Sequence, residues 1–277
     1  MVGVQQRQHC AAGREQRVGM KFRPCIDIHA GVVKQIVGSS LTEDSSRELV
    51  ENFVASRPAS DFAAQYRQDG LFGGHVIMLG PNCEEAALSS LRAFPTGLQI
   101  GGGITSDNAL QYLEAGASHV VVTSYVFRDG KVDLERLQGL VALVGKKRLV
   151  IDLSCRRKPD DPTGPFYVVT NKWTLFTDYA VTEESLADLA QYCDEFLVHG
   201  VDVEGKRCGI EQDLVTLLGR SSPIPVTYAG GVRSLEDLEL VKQLGAGKVD
   251  CTVGSALDMF GGELSYDSVV EWSRAQT

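Results

Sequence analysis

The most constraining feature of this sequence is an internal repeat, because three segments of its first half recur in its second half in the same order. The paired segments are 24–28 with 149–153, 101–106 with 229–234, and 113–124 with 242–255. Equivalent residues are 125, 128 and 131 positions apart, as in Asp27 and Asp152, Gly102 and Gly230, and Ser124 and Ser255. A chance similarity of glycine-rich segments would account for one match but not for three in order. The repeat therefore predicts two halves of similar structure.

Short β-branched runs alternate with amphipathic stretches from residue 21 onward, the pattern of strand–helix units around a parallel sheet. The predicted strands are 22–28, 75–79, 98–100, 119–123, 148–153, 195–199, 224–228 and 249–253. The predicted helices are 60–69, 84–93, 106–115, 132–144, 182–191, 209–218, 234–244 and 268–274. Eight such units in about 250 residues indicate an α/β fold, a (β/α)8 or TIM barrel built from two similar half-barrels.

The composition is that of a soluble globular protein, with 43% hydrophobic and 23% charged side chains among 277 residues. We expect one catalytic domain at 21–277, preceded by an extension over 1–20 that is disordered or the remnant of a transit peptide. The formal net charge of -9 gives no electrostatic reason to bind nucleic acid or an anionic membrane. No uncharged apolar run reaches the roughly 18 residues that a membrane-spanning helix needs.

The seven cysteines and five histidines are dispersed along the chain, and no Cys-x-x-Cys pair occurs. Dispersed cysteines favour a reducing compartment over a disulfide framework. The histidines also lack the close spacing of a helical metal pair. The sequence therefore predicts no metal site.

Asp27 and Asp152 each end an apolar predicted strand, at equivalent positions of the two repeats. Either carboxylate alone is as readily explained as a loop cap or as the partner of a nearby Lys or Arg. Together, at the mouth of a barrel, two carboxylates can divide the work of general base and general acid if their surroundings separate their pKa values.

Two glycine-rich segments follow the third and seventh predicted strands, and each precedes a predicted helix whose N-terminal amides can hold an anion. The hydroxyl or amide donors of Ser124, Gly254 and Ser255 follow the fourth and eighth strands. The glycines could instead serve only to make tight turns. If both segments bind phosphate, the ligand carries a phosphate at each end, with the aspartates near its middle.

Two long connections, residues 39–58 and 156–165, follow the first and fifth strands and are candidate lids. Trp173 lies shortly after the second of them, where it can either stack on a planar ligand or pack against protein. His199 ends the sixth strand, where a histidine can transfer a proton near neutral pH or serve only as a structural hydrogen-bond donor.

The chain resembles the phosphoribosylformimino-aminoimidazole-carboxamide-ribotide isomerases of histidine biosynthesis, in their eukaryotic form. The resemblance covers essentially residues 21–272, and its most distinctive segments, in order, are FRPCIDIHAGVVKQIVG, GGHVIMLGPN, LQIGGGI, DLSCR, NKW, EFLVHGVDVEG, VTYAGGV and VDCTVGSALDMFGG. It implies an Amadori rearrangement of a bis-phosphorylated aminoaldose to an aminoketose, without a cofactor or metal.

The resemblance also implies roles for individual residues. Asp27 is expected to be the base and Asp152 the acid, Gly31 matches a backbone phosphate contact, and Trp173 matches a tryptophan that covers the substrate when the fifth loop closes. The expected substrate and phosphate contacts are Gly31, Gly102, Gly103, Ser124, Trp173, Gly205, Gly230, Gly231, Gly254 and Ser255.

The sequence departs from the bacterial pattern after the sixth strand. Bacterial isomerases typically have Thr-Asp-Ile followed by Arg-Asp-Gly there, whereas residues 199–205 of this chain read HGVDVEG. His199 stands in place of the threonine and Glu204 in place of the later aspartate. We therefore hypothesise that His199 is catalytic, assisting ring opening, or that it binds the ribose hydroxyls.

Two other functions are alternatives. The cyclase of the next histidine-pathway step has a similar duplicated barrel, but this chain has no glutaminase region, and residues 171–173, Asn-Lys-Trp, favour the isomerase. A non-catalytic barrel that binds phosphorylated metabolites is the other. We expect a monomer, in the plastid stroma if the source is photosynthetic and in the cytoplasm otherwise.

Overall fold

The computed structural model describes residues 19–36 and 51–276, and in it eight parallel strands form the barrel. These barrel strands, numbered one to eight in chain order, are Cys25–His29, Gly74–Met78, Leu98–Gly101, Val120–Val122, Leu149–Asp152, Glu195–His199, Val226–Ala229 and Val249–Thr252. Each pairs with the next along the chain. A parallel bridge between Phe22 and Cys251 joins strand eight to the segment leading into strand one, with backbone hydrogen bonds on both sides of it. The predicted (β/α)8 barrel is confirmed.

Eight α-helices accompany the strands within the described part of the chain. They are Ala59–Gln68, Glu84–Ala93, Ala109–Glu114, Leu134–Val144, Glu183–Leu189, Gln212–Ser221, Leu235–Leu244 and Tyr266–Arg274. Short 3-10 helices span Lys146–Arg148 and Asp258–Phe260. The third α-helix is shorter than the predicted 106–115. The side chain of Asn108 accepts a hydrogen bond from the Thr105 amide and donates one to the Gly103 carbonyl. These bonds hold residues 103–108 in a turn, so the helix begins only at Ala109. None of the described helices is both long and apolar enough to cross a membrane.

Alternate residues of each strand point into the barrel, and the lower part of this interior is polar. Gln99 on strand three donates a 3.1 Å hydrogen bond to Glu195 on strand six, and Thr227 on strand seven donates one of 2.6 Å to the same carboxylate. Strands three and six are not neighbours, so the first bond crosses the interior. Arg23 and Asp250 form a nearby ion pair. This polar layer fixes the strands around the axis.

A small apolar layer lies at the next inward positions, where Val121, Val150 and Leu197 pack together apart from the main core. Two residues beyond this layer lie Asp152 on strand five and His199 on strand six. On strand one the same alternation gives Cys25 and then Asp27. Because every second side chain of a strand points inward, the polar strand-end side chains lie at the mouth of the barrel, above the apolar layer.

The loops at the mouth contain strands that the sequence did not predict. Val32–Ile36 pairs with strand one and with Glu51–Val54, and a separate three-stranded sheet is formed by Cys155–Arg157, Phe166–Thr170 and Leu175–Ala180. Another hairpin joins Phe127–Arg128 to Lys131–Val132. The predicted connection 156–165 therefore begins within a paired strand. Most of the other candidate lid, 39–58, and nearly all of the extension 1–20 lie outside the described residues.

Candidate active site

A cavity of about 520 Å³ lies at the C-terminal ends of the barrel strands. Among the residues expected to bind or react, it is lined by Asp27, Gly102, Gly103, Ser124, Asp152, Trp173 and His199. Glu204 also lines it. One half of the predicted site is thus assembled around a single space, with both aspartates on its wall.

A second cavity, of about 40 Å³, lies on the side of the other repeat. Its lining includes the remaining glycine-rich positions, Gly205, Gly230, Gly231, Gly254 and Ser255. Asp27, His199 and Glu204 line both cavities. The two glycine-rich regions therefore flank a shared group of ionisable side chains. Gly31 is not among the residues that line these cavities; it lies in the turn after strand one, and its phosphate contact stays a prediction.

Asp27 is half-buried, and its carboxylate accepts a 3.2 Å hydrogen bond from Nε2 of Gln35. Burial, and after it the negative charge of Glu204, raise the pKa of Asp27 to about 7, although the charge on His199 and the Gln35 bond oppose the rise. A carboxyl group with a pKa near neutrality can accept a proton and release it again, which is what a general base requires.

Asp152 faces a different set of neighbours. Its Oδ1 accepts a 3.0 Å hydrogen bond from the Ser154 hydroxyl and lies 3.2 Å from Nδ1 of His199. Burial acts to lower the pKa of His199, but the contact with Asp152, together with the negative charges of Glu204 and Asp27, raises it to about 9. At neutral pH the pair therefore holds a proton on the imidazole.

Glu204 is a site residue that sequence reasoning noted only as a replacement. It is half-buried between the two cavities, and burial raises the pKa of its carboxyl group. Asn52 Nδ2 donates a 3.0 Å hydrogen bond to the carbonyl of the next residue, Gly205, which fixes this turn to the loop after strand one. Glu204 thus brings a third carboxyl group to the centre of the site.

The glycine-rich turns have backbone conformations and close contacts that exclude side chains. Gly102 has a φ of +89°, and a Cβ there would lie 2.0 Å from the Met78 carbonyl oxygen. Gly231 has a φ of +73°, and its Cβ would lie 2.1 Å from the Gly209 carbonyl oxygen. Turn geometry alone thus explains these glycines, while their place on the cavity walls leaves the loop amides near any ligand.

The helices after these turns begin later than predicted. They start at Ala109 and Leu235, so residues 104–108 and 232–234 intervene after the glycines. Each glycine segment is thus followed by a helix as predicted, after a short turn. The glycines of both turns, together with Ser124 and Ser255, line the two cavities, and phosphate binding by them stays a prediction.

Trp173 lies on the wall of the larger cavity, with its ring centroid 6.1 Å from that of His199. It is the last of three consecutive residues with positive φ, after Asn171 at 49° and Lys172 at 54°. A non-glycine residue in this conformation is strained, and three in a row need strong local constraint. Such strain at a cavity wall is typical of a segment that positions a side chain for binding.

The barrel also brings together three metal-ligating side chains that are dispersed in the sequence. Donor atoms of Cys25, Asp27 and His75 all lie within 4.8 Å of one another. Burial, and after it the charge on His199, lower the pKa of His75 to about 3, which leaves its imidazole neutral. The spacing argument against a metal site did not take account of this strand pairing.

Comparison with known proteins gives a family for this fold and site. A sequence model of the family described as histidine biosynthesis protein matches residues 21–265. The chloroplastic 1-(5-phosphoribosyl)-5-((5-phosphoribosylamino)methylideneamino)imidazole-4-carboxamide isomerase of Medicago truncatula is 56% identical over 262 residues, covering 93% of this chain and 83% of that protein.

Two fungal proteins that carry the same isomerase name are also similar. The one from Neurospora crassa is 53% identical over 259 residues, covering 92% of this chain and 99% of its own. The one from Saccharomyces cerevisiae is 43% identical over 262 residues, with coverages of 92% and 99%. With a family match over most of its length and relatives this similar, the chain belongs to the histidine biosynthesis protein family.

Proposed function

We propose that this protein catalyses the Amadori rearrangement of the bis-phosphorylated aminoaldose ribotide named in its relatives to the corresponding aminoketose. The observation that carries the proposal is the set of ionisable groups shared by the two cavities, with a glycine-rich turn region on each side. This arrangement suits a long ligand held by a phosphate at each end, with its reacting carbons beside the carboxylates.

Ring opening is the first step. A proton passes to the ribose ring oxygen, the bond from that oxygen to the anomeric carbon breaks, and the nitrogen lone pair forms a protonated Schiff base. The pair of Asp152 and His199 is the proposed proton source, because it holds a proton at neutral pH and lines the larger cavity. Ser154 fixes the carboxylate within the pair.

Proton removal at C2′ is the second step. Asp27 accepts this proton, the electrons of the C–H bond form the double bond of an enolamine, and tautomerisation of the enolamine gives the ketose. The raised pKa of Asp27 suits this task, since a carboxylate with a pKa near 7 is a stronger base than an ordinary one and is still substantially ionised at neutral pH.

The different surroundings of the two aspartates support this division of roles. Asp27 faces Gln35 and Glu204, whereas Asp152 is paired with a histidine. Two carboxylates with equal surroundings would have similar pKa values and could not serve as donor and acceptor at one pH. Trp173 is proposed to stack on the imidazole ring of the ligand, because it forms part of the wall of the same cavity.

A coupled absorbance assay tests the proposal: the purified protein is given the aminoaldose ribotide together with excess cyclase and ammonia, and Asp27→Asn is assayed beside it. We expect cyclase-dependent turnover by the wild type and a large loss in the variant. A protein that leaves the aminoaldose unchanged but consumes the aminoketose with ammonia, without added cyclase, would be the cyclase instead. Binding of the ribotide without turnover by the folded wild-type protein would overturn the proposal in favour of a binding barrel.

The plastid stroma is the proposed compartment if the source is photosynthetic, supported by the chloroplastic relative. Fluorescence microscopy of a full-length fusion tests this, and an exclusively cytosolic signal in plant cells would contradict it.

A further inference from the structure

The cluster of Cys25, Asp27 and His75 follows from strand geometry. Cys25 on strand one is the register partner of His75 on strand two, and Asp27 lies two residues further along strand one, on the same face. A thiol, a carboxylate and an imidazole thus converge, with all their donor atoms within 4.8 Å of one another. Cys25 and His75 are buried, at 3% exposure each.

A second observation comes from the space beside these groups. All three side chains line the 40 Å³ cavity, which also receives Thr252. The Thr252 hydroxyl is buried and has no hydrogen-bond partner. Burying a hydroxyl without a hydrogen-bond partner costs free energy. Because this hydroxyl lies beside the three ligand atoms, it can contact a bound metal ion or a water molecule on that ion.

We propose that Cys25, Asp27 and His75 form an inhibitory binding site for a thiophilic divalent cation, with Zn²⁺ as the best fit. The three donor types are those of zinc sites in proteins, and three protein ligands leave a fourth tetrahedral position towards the cavity. A thiol and an imidazole disfavour Mg²⁺ and Ca²⁺, which prefer oxygen ligands. On binding, the Cys25 S–H proton is released to solvent and the thiolate sulfur bonds the metal.

The inhibitory part of this inference rests on the proposed function. A cation bound to Asp27 occupies the carboxylate that removes the C2′ proton. The glycine-rich turn at the larger cavity stays open to the ligand. Zinc is therefore expected to reduce kcat more than it raises KM, in a manner that a chelator reverses.

Cobalt binding tests the site without reference to activity, because a Co²⁺–thiolate bond gives a charge-transfer absorption band. The titration is made on a background carrying Cys10→Ser and Cys208→Ser, which removes the exposed Cys208 thiol and the thiol outside the described residues. Cys25→Ser and His75→Asn are compared with Cys193→Ser as the control. Cys193 is also a buried thiol, but it is hydrogen-bonded to the Leu189 carbonyl and lines neither cavity.

We expect the band in the background protein and in Cys193→Ser, its loss in Cys25→Ser, and binding weakened by at least about tenfold in His75→Asn. A band that persists in folded Cys25→Ser, or no band in the background, overturns the inference. If Cys25→Ser does not fold, the outcome with His75→Asn decides, and unchanged affinity there contradicts the site.

Zinc inhibition of the isomerase reaction is measured in parallel on the same proteins, each relative to its own metal-free activity. Inhibition of the background and of Cys193→Ser, with resistance in Cys25→Ser, supports the inhibitory role. A cobalt band in a protein that shows no isomerase activity would leave the metal site standing and remove the proposed function instead. Full activity with zinc bound would overturn the inhibitory role.

Discussion

His199 Nδ1 lies 3.2 Å from Oδ1 of Asp152, and the same oxygen accepts a hydrogen bond from Ser154. The carboxylate is thus held from two sides and directed at the imidazole. Although burial opposes it, this contact together with the charges of Glu204 and Asp27 raises the pKa of His199 to about 9, so the pair carries a proton throughout the neutral range. The histidine that replaces a threonine of the bacterial pattern is therefore part of an acid, according to the proposed mechanism.

His199→Asn is expected to lower kcat by roughly 10²-fold, because the amide can still donate to Asp152 but holds no transferable proton. KM should stay within about tenfold. Steady-state kinetics in the coupled assay measures both constants. Unchanged kcat and KM in His199→Ala would exclude any role for this side chain in ring opening or substrate binding.

Asp27→Asn and Asp152→Asn should each depress kcat by roughly 10²–10⁴-fold while leaving substrate affinity within about tenfold, since the phosphates anchor the ligand. Asp27→Asn should not lose stability in thermal unfolding, because asparagine places no charge in this half-buried position, whereas Asp152→Asn should lose some, because it leaves the His199 imidazolium without its anionic partner. Equilibrium binding of the ribotide is the companion measurement. Loss of binding with intact turnover per bound ligand would contradict the assigned roles.

The pH dependence follows from the two raised pKa values. Asp27 must be ionised to act as a base, so kcat/KM should fall as the pH drops below about 7. His199 must be protonated to supply the acid, so activity should fall as the pH rises above about 9. The profile is recorded with a chelator present, so that no cation occupies Asp27. A profile flat from pH 6 to pH 8, which brackets the lower value of about 7, would refute the base assignment.

Glu204→Gln should move the acidic limb of this profile to lower pH. The negative charge of Glu204 contributes to the raised pKa of Asp27, so its removal lowers that pKa and keeps the base ionised in more acidic solution. Glu211→Gln, which removes a carboxyl group of the same loop that lines neither cavity, serves as the matched control. An unshifted limb in Glu204→Gln would show that the two carboxyl groups do not interact.

Gly103→Ala should raise KM by roughly tenfold, because its methyl group enters open space on the wall of the larger cavity. Gly247→Ala is the matched control, with a φ of +68° against +73° for Gly103 and also no atom within 4 Å of the added Cβ. Both should lose about 1 kcal/mol of unfolding free energy, the cost of a left-handed residue. Equal KM values in the two variants would argue against ligand contact at Gly103.

The barrel could be predicted from the sequence because each strand is a short apolar run whose position does not depend on distant residues. Strand six was predicted as 195–199 and observed as Glu195–His199. The hairpin at Cys155–Arg157 and Phe166–Thr170 was not predicted, since its charged residues look like a loop when the partner strand is unknown. Only the pairing makes Arg156 and Arg157 part of a sheet.

The position of a candidate site residue was predictable where one residue type at a strand end suffices, as for Asp27 and Asp152, which both line the larger cavity. It was not predictable where neighbours come from separate loops. Nothing local in the sequence places Glu204 beside Asp27 or brings Gln35 to its carboxylate. In the same way, the expectation of no metal depended on sequence spacing, whereas the adjacency of Cys25 and His75 depends on strand register.

The two half-barrels repeat the strand-end aspartate but not the residues that surround it. A duplicated ancestral segment would have started with two chemically equivalent carboxylates, which is of little use to a reaction that needs one proton donor and one acceptor. Specialisation then had to arise in residues that the repeat does not share, such as Gln35 on one side and His199 on the other. In the proposed mechanism, the roles of proton donor and proton acceptor therefore depend on where the two copies differ and not on where they agree.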